Sequence, residues 1–323
     1  MRGCGTPNIV RYPRALAVFV VLASAACAGR LHMPGSVRPV EESTRNFESL
    51  GHSIRVDAYV PEGKGQRHPA AIVLHGSGGI HMVGTGTEDR YAEALANRGI
   101  AVYVVHYFDA TGTFIAGLDA EAREYWRWVQ VVHDAVEWVR ARPEVRPTHI
   151  GLFGHSMGAY LAVGAAATNP HVSRVVLLAG GLEPVAVDSI KHMPPTLLLH
   201  GTADDVVTIA EEDTLLQLLK RRRTTVNTHR YVGEGHDFGD EAAVDAVERS
   251  ARFLSEGRVG TLLEVLRRSD TRLTASDTIR GWLSSQSQVA CSTSFRLTAQ
   301  TSQCDCVTMT SGRRARSFSA STW

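Results

Sequence analysis

Three short stretches of this 323-residue chain carry residue types that together can break an acyl bond. The first, Gly154-His155-Ser156-Met157-Gly158, sets a serine between two glycines. Glycines so placed let a chain turn sharply from a strand into a helix, which lifts the hydroxyl clear of the backbone. A serine hydroxyl is a weak nucleophile until a base takes its proton. The second stretch, Gly235-His236-Asp237-Phe238, offers an imidazole on a glycine-bracketed loop. An imidazole there can take the Ser156 proton and return it to a leaving group. The third, His200-Gly201-Thr202-Ala203-Asp204-Asp205, offers carboxylates that can fix the imidazole tautomer and stabilise its cation. Asp204 is the expected partner and Asp205 the fallback. Asp205 lies nearer the helix expected from Ile209 and suits capping it.

Acyl transfer also needs two backbone N–H groups aimed at the developing oxyanion. Met157, the residue after the serine, supplies one. His75-Gly76-Ser77-Gly78-Gly79 supplies the other, with Ser77 expected and Gly78 the alternate. This glycine loop lacks the Lys-Ser/Thr of a phosphate-binding loop and does not read Gly-x-Gly-x-x-Gly. No His-Glu-x-x-His or other convincing metal-ligand spacing is present, so neither metal nor cofactor is expected. His155 reads as the variable position of the serine turn. His75 and His200 each precede a glycine at a strand end and read as turn-shaping residues.

The elements that must position these groups alternate along the chain. Strands are expected at 54–60, 69–74, 100–105, 149–153, 175–178, 196–199 and 225–232. Helices are expected at 88–98, 121–142, 157–168, 209–222 and 240–256. Several strands are continuous apolar runs, such as Pro69–Leu74 and Ile100–Val105, which fits burial on both faces. Strands alternating with helices of this length predict an α/β fold with a mostly parallel central sheet and helices on both faces. In such a sheet, reactive groups gather at the carboxyl ends of strands. Ser156, Asp204 and His236 each fall just past one. That chain order, serine then acid then histidine, is the order of the α/β-hydrolase triad. No interior linker or large cap insertion is visible, so 45–257 reads as one domain.

Composition limits the alternatives. With 34 Lys+Arg against 33 Asp+Glu, the net charge is +1, which argues against bulk electrostatic nucleic-acid binding. That near-neutrality conceals +3 over residues 1–27, +3 over 270–323 and −5 between them. Residues 1–27 join three arginines, an apolar run at Ala15–Ala23 and small residues before Cys27, which reads as an export signal. The setting of Cys27 also suggests a lipid anchor, with a periplasmic, secreted or membrane-anchored destination. No cysteine lies in 28–290, so the domain must stand on packing alone. Residues 270–323 hold 20 Ser or Thr in 54 positions and lose apolar periodicity, which predicts a disordered tail.

On Gly154–Gly158, Gly201-x-x-Asp204-x-x-Val207 and Gly235–Phe238, residues 45–257 resemble the dienelactone hydrolase family of the α/β-hydrolase superfamily. The resemblance implies a carboxylic ester hydrolase acting on small or medium esters or lactones. The name-giving enzymes use a cysteine nucleophile where this chain has Ser156, which implies a serine-type branch and an acyl-enzyme route. A peptidase or acyl-peptide hydrolase of the same fold, and a non-catalytic binder on a hydrolase scaffold, are the competing readings. Tyr107–Ala120 is expected to form a short lid or pocket wall. Phe108, Phe114, Trp126 and Trp128 are expected either to line an acyl pocket or to pack as ordinary core.

Overall fold

The structure, a computed structural model, describes residues 31–256 apart from 36, 64 and 81–86. The expected export signal, its Cys27 and the expected tail at 270–323 lie outside the described residues.

Eight strands form one sheet: β1 (Val40–Ser49), β2 (His52–Pro61), β3 (His68–Leu74), β4 (Ala101–Val105), β5 (Val145–His155), β6 (Arg174–Leu178), β7 (Thr196–Gly201) and β8 (Val226–Tyr231). Their spatial order is β1-β2-β4-β3-β5-β6-β7-β8. The β1–β2 hairpin and the β2–β4 pair are antiparallel, and every other pairing is parallel. This is the α/β-hydrolase architecture expected from the sequence, with no large cap domain among the described residues.

Five helices cover the sheet: α1 (Thr87–Asn97), α2 (Leu118–Arg140), α3 (Met157–Thr168), α4 (Ile209–Arg221) and α5 (Asp240–Ser255). The alternation of side chains along a strand sorts them onto two faces. Ala70, Ile72 and Leu74 of β3 pack with residues of α2, α3 and α4. Ala71 and Val73 pack with residues of α1 and α5. Both sets are buried, which is why β3 reads as an unbroken apolar run.

The strand β1 differs from the sequence expectation, which places no strand before residue 54. It is an edge strand with most side chains at least partly exposed, so its sequence, Val-Glu-Glu-Ser-Thr-Arg-Asn-Phe-Glu-Ser, carries little apolar signal. The segment expected as a short lid or pocket wall opens with a 3-10 turn, Tyr107–Ala110, in which Tyr107, Phe108 and Ala110 are buried. This turn packs against the His75 loop. The Tyr107 ring stacks on His75 at 4.0 Å, and its hydroxyl donates to the His75 carbonyl at 2.6 Å. Phe108 and Trp128 belong to the core, whereas Phe114 and Trp126 are exposed. The Trp128 indole N–H donates to Thr111 Oγ1 at 3.0 Å, which ties α2 to the end of the turn.

Candidate active site

The nucleophile turn follows from the close approach of small residues. The helix α3 is buried on every side through Ala166, so it needs small residues to press against the sheet. A Cβ on Gly158 would collide with the carbonyls of Leu74 and His75. A Cβ on Gly154 would collide with the Gly158 backbone. Between these glycines Ser156 takes φ 53° and ψ −124°, a conformation rare for a residue with a side chain. Such backbone costs of order 1–3 kcal/mol and persists where surrounding contacts enforce it. Here the Ser156 N–H donates to the Leu178 carbonyl at 3.0 Å, and its carbonyl accepts from the Ala159 N–H at 2.9 Å.

The three sequence-expected groups converge on this turn. His236 Nε2 lies 2.9 Å from Ser156 Oγ. His236 Nδ1 lies 2.9 Å from Asp204 Oδ2 and 3.1 Å from Oδ1. Ser156 follows β5, Asp204 follows β7 and His236 follows β8, so three neighbouring parts of one sheet edge deliver them. Gly201 lets the last two loops meet, because a Cβ there would strike the backbone of Glu234 and Gly235.

Asp204 is gripped as an anion. Its Oδ1 accepts the Val206 and Val207 N–H groups, each at 2.9 Å. Burial alone would raise its carboxyl. The donors from His200 and His236 and the Val207 N–H outweigh burial and hold it well below the usual carboxylate range. Asp205 is exposed.

Of the two expected oxyanion donors, Met157 adjoins Ser156 in sequence and Ser77 lies in the loop after β3. Met157 is the first residue of α3, so its N–H has no acceptor within the helix. Ser77 sits in the loop after β3, which runs beside the nucleophile: a Cβ on the neighbouring Gly76 would stand 3.3 Å from the Ser156 Cβ. The loop is pinned by a Gly79 N–H bond to the Gly76 carbonyl at 3.1 Å and an Ala116 N–H bond to the Ser77 carbonyl at 2.9 Å.

Sequence reasoning missed a carboxylate and undervalued two histidines. Glu88, in the first turn of α1, is buried; its Oε1 accepts the Gly76 N–H at 3.0 Å and faces His155 Nδ1 at 3.2 Å. Burial would raise the Glu88 carboxyl and lower the His155 imidazole. Their mutual attraction reverses both directions. His155, expected only to fill the turn, thus joins the serine turn to the oxyanion loop, and its ring lies 5.3 Å from that of His236. His200, expected to shape a turn, is buried with Nε2 3.3 Å from Asp204 Oδ2. His75 does shape its loop, with Nδ1 2.8 Å from the Gly76 carbonyl. Strand-end spacing does not announce the Glu88–His155 pair, because its two residues stand 67 positions apart. No cluster of three or more metal-ligating side chains occurs among the described residues.

Residues 56–256 match the model of the dienelactone hydrolase family. An uncharacterised protein of Mycobacterium tuberculosis is 26% identical over 233 residues, covering 62% of this chain and 75% of that protein. A dienelactone hydrolase-like promiscuous phosphotriesterase, P91, from metagenomic libraries superposes with TM-score 0.58 at 15% identity, over 67% of this chain and 98% of that one. A dienelactone hydrolase from Anabaena variabilis superposes with TM-score 0.53 at 20% identity, over 66% and 96%. At these identities the solved structures speak for the fold.

Proposed function

The chain belongs to the dienelactone hydrolase family, and from that premise we propose that it is a serine-type carboxylic ester hydrolase working through an acyl-enzyme. The observation that carries the reading is His236, whose two ring nitrogens each lie 2.9 Å from a partner, Ser156 Oγ on one side and Asp204 Oδ2 on the other.

In the proposed mechanism His236 takes the Ser156 proton as Oγ attacks the ester carbonyl. The carbonyl oxygen becomes an oxyanion held by the Met157 and Ser77 N–H groups. Asp204 keeps the proton of His236 on Nδ1 and stabilises the imidazolium that forms. The imidazolium then protonates the leaving alcohol, leaving Ser156 acylated. Water, deprotonated by His236, attacks the acyl group, and collapse of the second oxyanion releases the acid and restores the serine.

The lack of a large cap among the described residues supports small or medium esters or lactones as substrates. The test is hydrolysis of p-nitrophenyl esters and simple lactones of graded size by wild type and Ser156→Ala. Turnover that falls with acyl length and vanishes in the variant is the expected result. Turnover retained by Ser156→Ala would refute the assignment. Export directed by residues 1–27, with acylation at Cys27, is proposed on the sequence alone. Radiolabelled palmitate incorporation, lost in Cys27→Ala, would support it.

A further inference from the structure

We propose that His200 is a positioning residue of this site: an imidazolium clamped between Asp204 and Glu212 that keeps Asp204 anionic and aimed at His236. The inference rests on the reading of Ser156, Asp204 and His236 as the reacting set.

The surroundings of the two ring nitrogens favour the charge. His200 Nε2 lies 2.7 Å from the Val207 carbonyl and 3.3 Å from Asp204 Oδ2. A carbonyl oxygen only accepts, so Nε2 carries a proton. His200 Nδ1 lies 3.3 Å from Glu212 Oε2. That oxygen is buried and has no hydrogen-bond partner, so the His200 contact is an ion-pair approach rather than a hydrogen bond. A lone pair on Nδ1 would therefore face a buried carboxylate, whereas a proton there makes an ion pair. Both ring nitrogens thus face oxygens that can only accept, and a proton on each makes the ring a cation.

The fold builds the pair from three elements. The residue His200 on β7 stands beside Arg230 on β8 in the parallel register. Glu212, in the first turn of α4, lies over both: its Oε1 accepts from Arg230 Nε at 3.2 Å and Nη2 at 3.1 Å. Arg230 Nη2 reaches Asp213 at 2.5 Å. The charged and titratable groups around His200 are thus Asp204, with His236 beyond it, from the loops, Glu212 and Asp213 from α4, and Arg230 from β8. From Asp204 outward to the surface, the charges of Asp204, His200, Glu212, Arg230 and Asp213 alternate. The side chains of His200, Asp204 and Glu212 are 1%, 0% and 2% exposed, so water screens them little.

The direction of the His200 titration agrees with this geometry. Burial pushes its imidazole down, but the Asp204 and Glu212 carboxylates and the Val207 carbonyl outweigh burial and raise it to about 9. The clamp's contribution to stability is fully present below about 6.5 and is lost as pH rises through about 9.

The test combines histidine-ring 1H–15N spectra of the full chain with kcat–pH profiles on a p-nitrophenyl ester. His200→Gln assigns the ring signal by its disappearance, and Glu212→Gln supplies a second variant that keeps the histidine. The expected result is a His200 ring protonated on both nitrogens at neutral pH. In Glu212→Gln its titration midpoint should fall by about one unit or more, a tenfold change in the equilibrium. The alkaline limb of kcat should fall with it while KM stays within about twofold, and Glu212→Asp, which keeps the charge, should restore both. A wild-type ring that titrates below neutrality, or a midpoint unmoved in Glu212→Gln, would overturn the imidazolium. A shifted midpoint with an unchanged kcat limb would overturn the positioning role. Failure of a fluorophosphonate to label Ser156 would remove the proposed function and the positioning role together, while the spectra would still decide the charge of His200.

Discussion

Replacing Asp204 by asparagine isolates what the carboxylate does, because the two side chains have nearly the same shape. Asp204 accepts from Val206 and Val207 through Oδ1 and from His236 Nδ1 most closely through Oδ2, at 2.9 Å in each case. It also lies 3.3 Å from His200 Nε2 through Oδ2. Asparagine can offer only one oxygen. If that oxygen keeps the two backbone donors, its NH2 group faces His236. The His236 proton must then sit on Nε2, pointing at Ser156 Oγ, and the ring cannot act as base. The same NH2 group faces the His200 donor, leaving a buried mismatch that costs about 1–3 kcal/mol of stability. Wrong-tautomer losses in such sites are roughly 10⁴-fold in kcat, or about 5 kcal/mol of activation free energy. The assay is kcat for p-nitrophenyl acetate, with circular dichroism to establish folding at the assay temperature. Asp205→Asn, at an exposed position, should stay close to wild type. A folded Asp204→Asn retaining a tenth or more of wild-type kcat would refute the tautomer argument, as would an equal loss in Asp205→Asn.

Two further outcomes follow from packing and charge. Gly158→Ala should lower both stability and kcat, because its methyl group must displace α3 from the Leu74 and His75 carbonyls. Overpacking of this kind costs about 1–3 kcal/mol, measurable by urea denaturation; an unchanged midpoint would contradict the close approach. Glu121 is pushed up to about 7 by burial and by the neighbouring Glu183 and Glu211 carboxylates. Its favourable contribution is present below about 4.5 and is lost as pH rises through about 7. Glu121→Gln should therefore stabilise the fold at alkaline pH, by about 1 kcal/mol after allowance for solvent screening of a partly exposed group. That corresponds to a gain of about 2–4 °C in Tm, with little change in acid. Equal shifts in Tm at both ends of the range would contradict the charge argument.

The parallel sheet was legible because strands buried on both faces, such as Ala70–Leu74, leave unbroken apolar runs. The Ser156 turn was legible because only glycine fits the approaches at Gly154 and Gly158. Chain order then sufficed to nominate Asp204 and His236, since each follows its strand immediately. The edge strand β1 was not legible, because an exposed, charged edge need not alternate cleanly. Glu88 and His155 meet across 67 positions, a contact that depends on how α1 packs against the end of β5. His200 meets Asp204 and Val207 nearby in sequence, but its Glu212 contact depends on the helical phase of α4, which local sequence does not specify. Phe108 and Trp128 were open between pocket and core, and the 3-10 turn at Tyr107–Ala110 carries the former into the core against the latter.

The central claim is that Ser156 is an activated nucleophile. Incubation with a fluorophosphonate, followed by intact-mass measurement and peptide mapping, tests it directly. The account predicts a single adduct on Ser156, formed rapidly in wild type, slowed by orders of magnitude in Asp204→Asn and absent in Ser156→Ala. A folded wild-type protein that takes up no adduct, or takes it up on another residue, would contradict it.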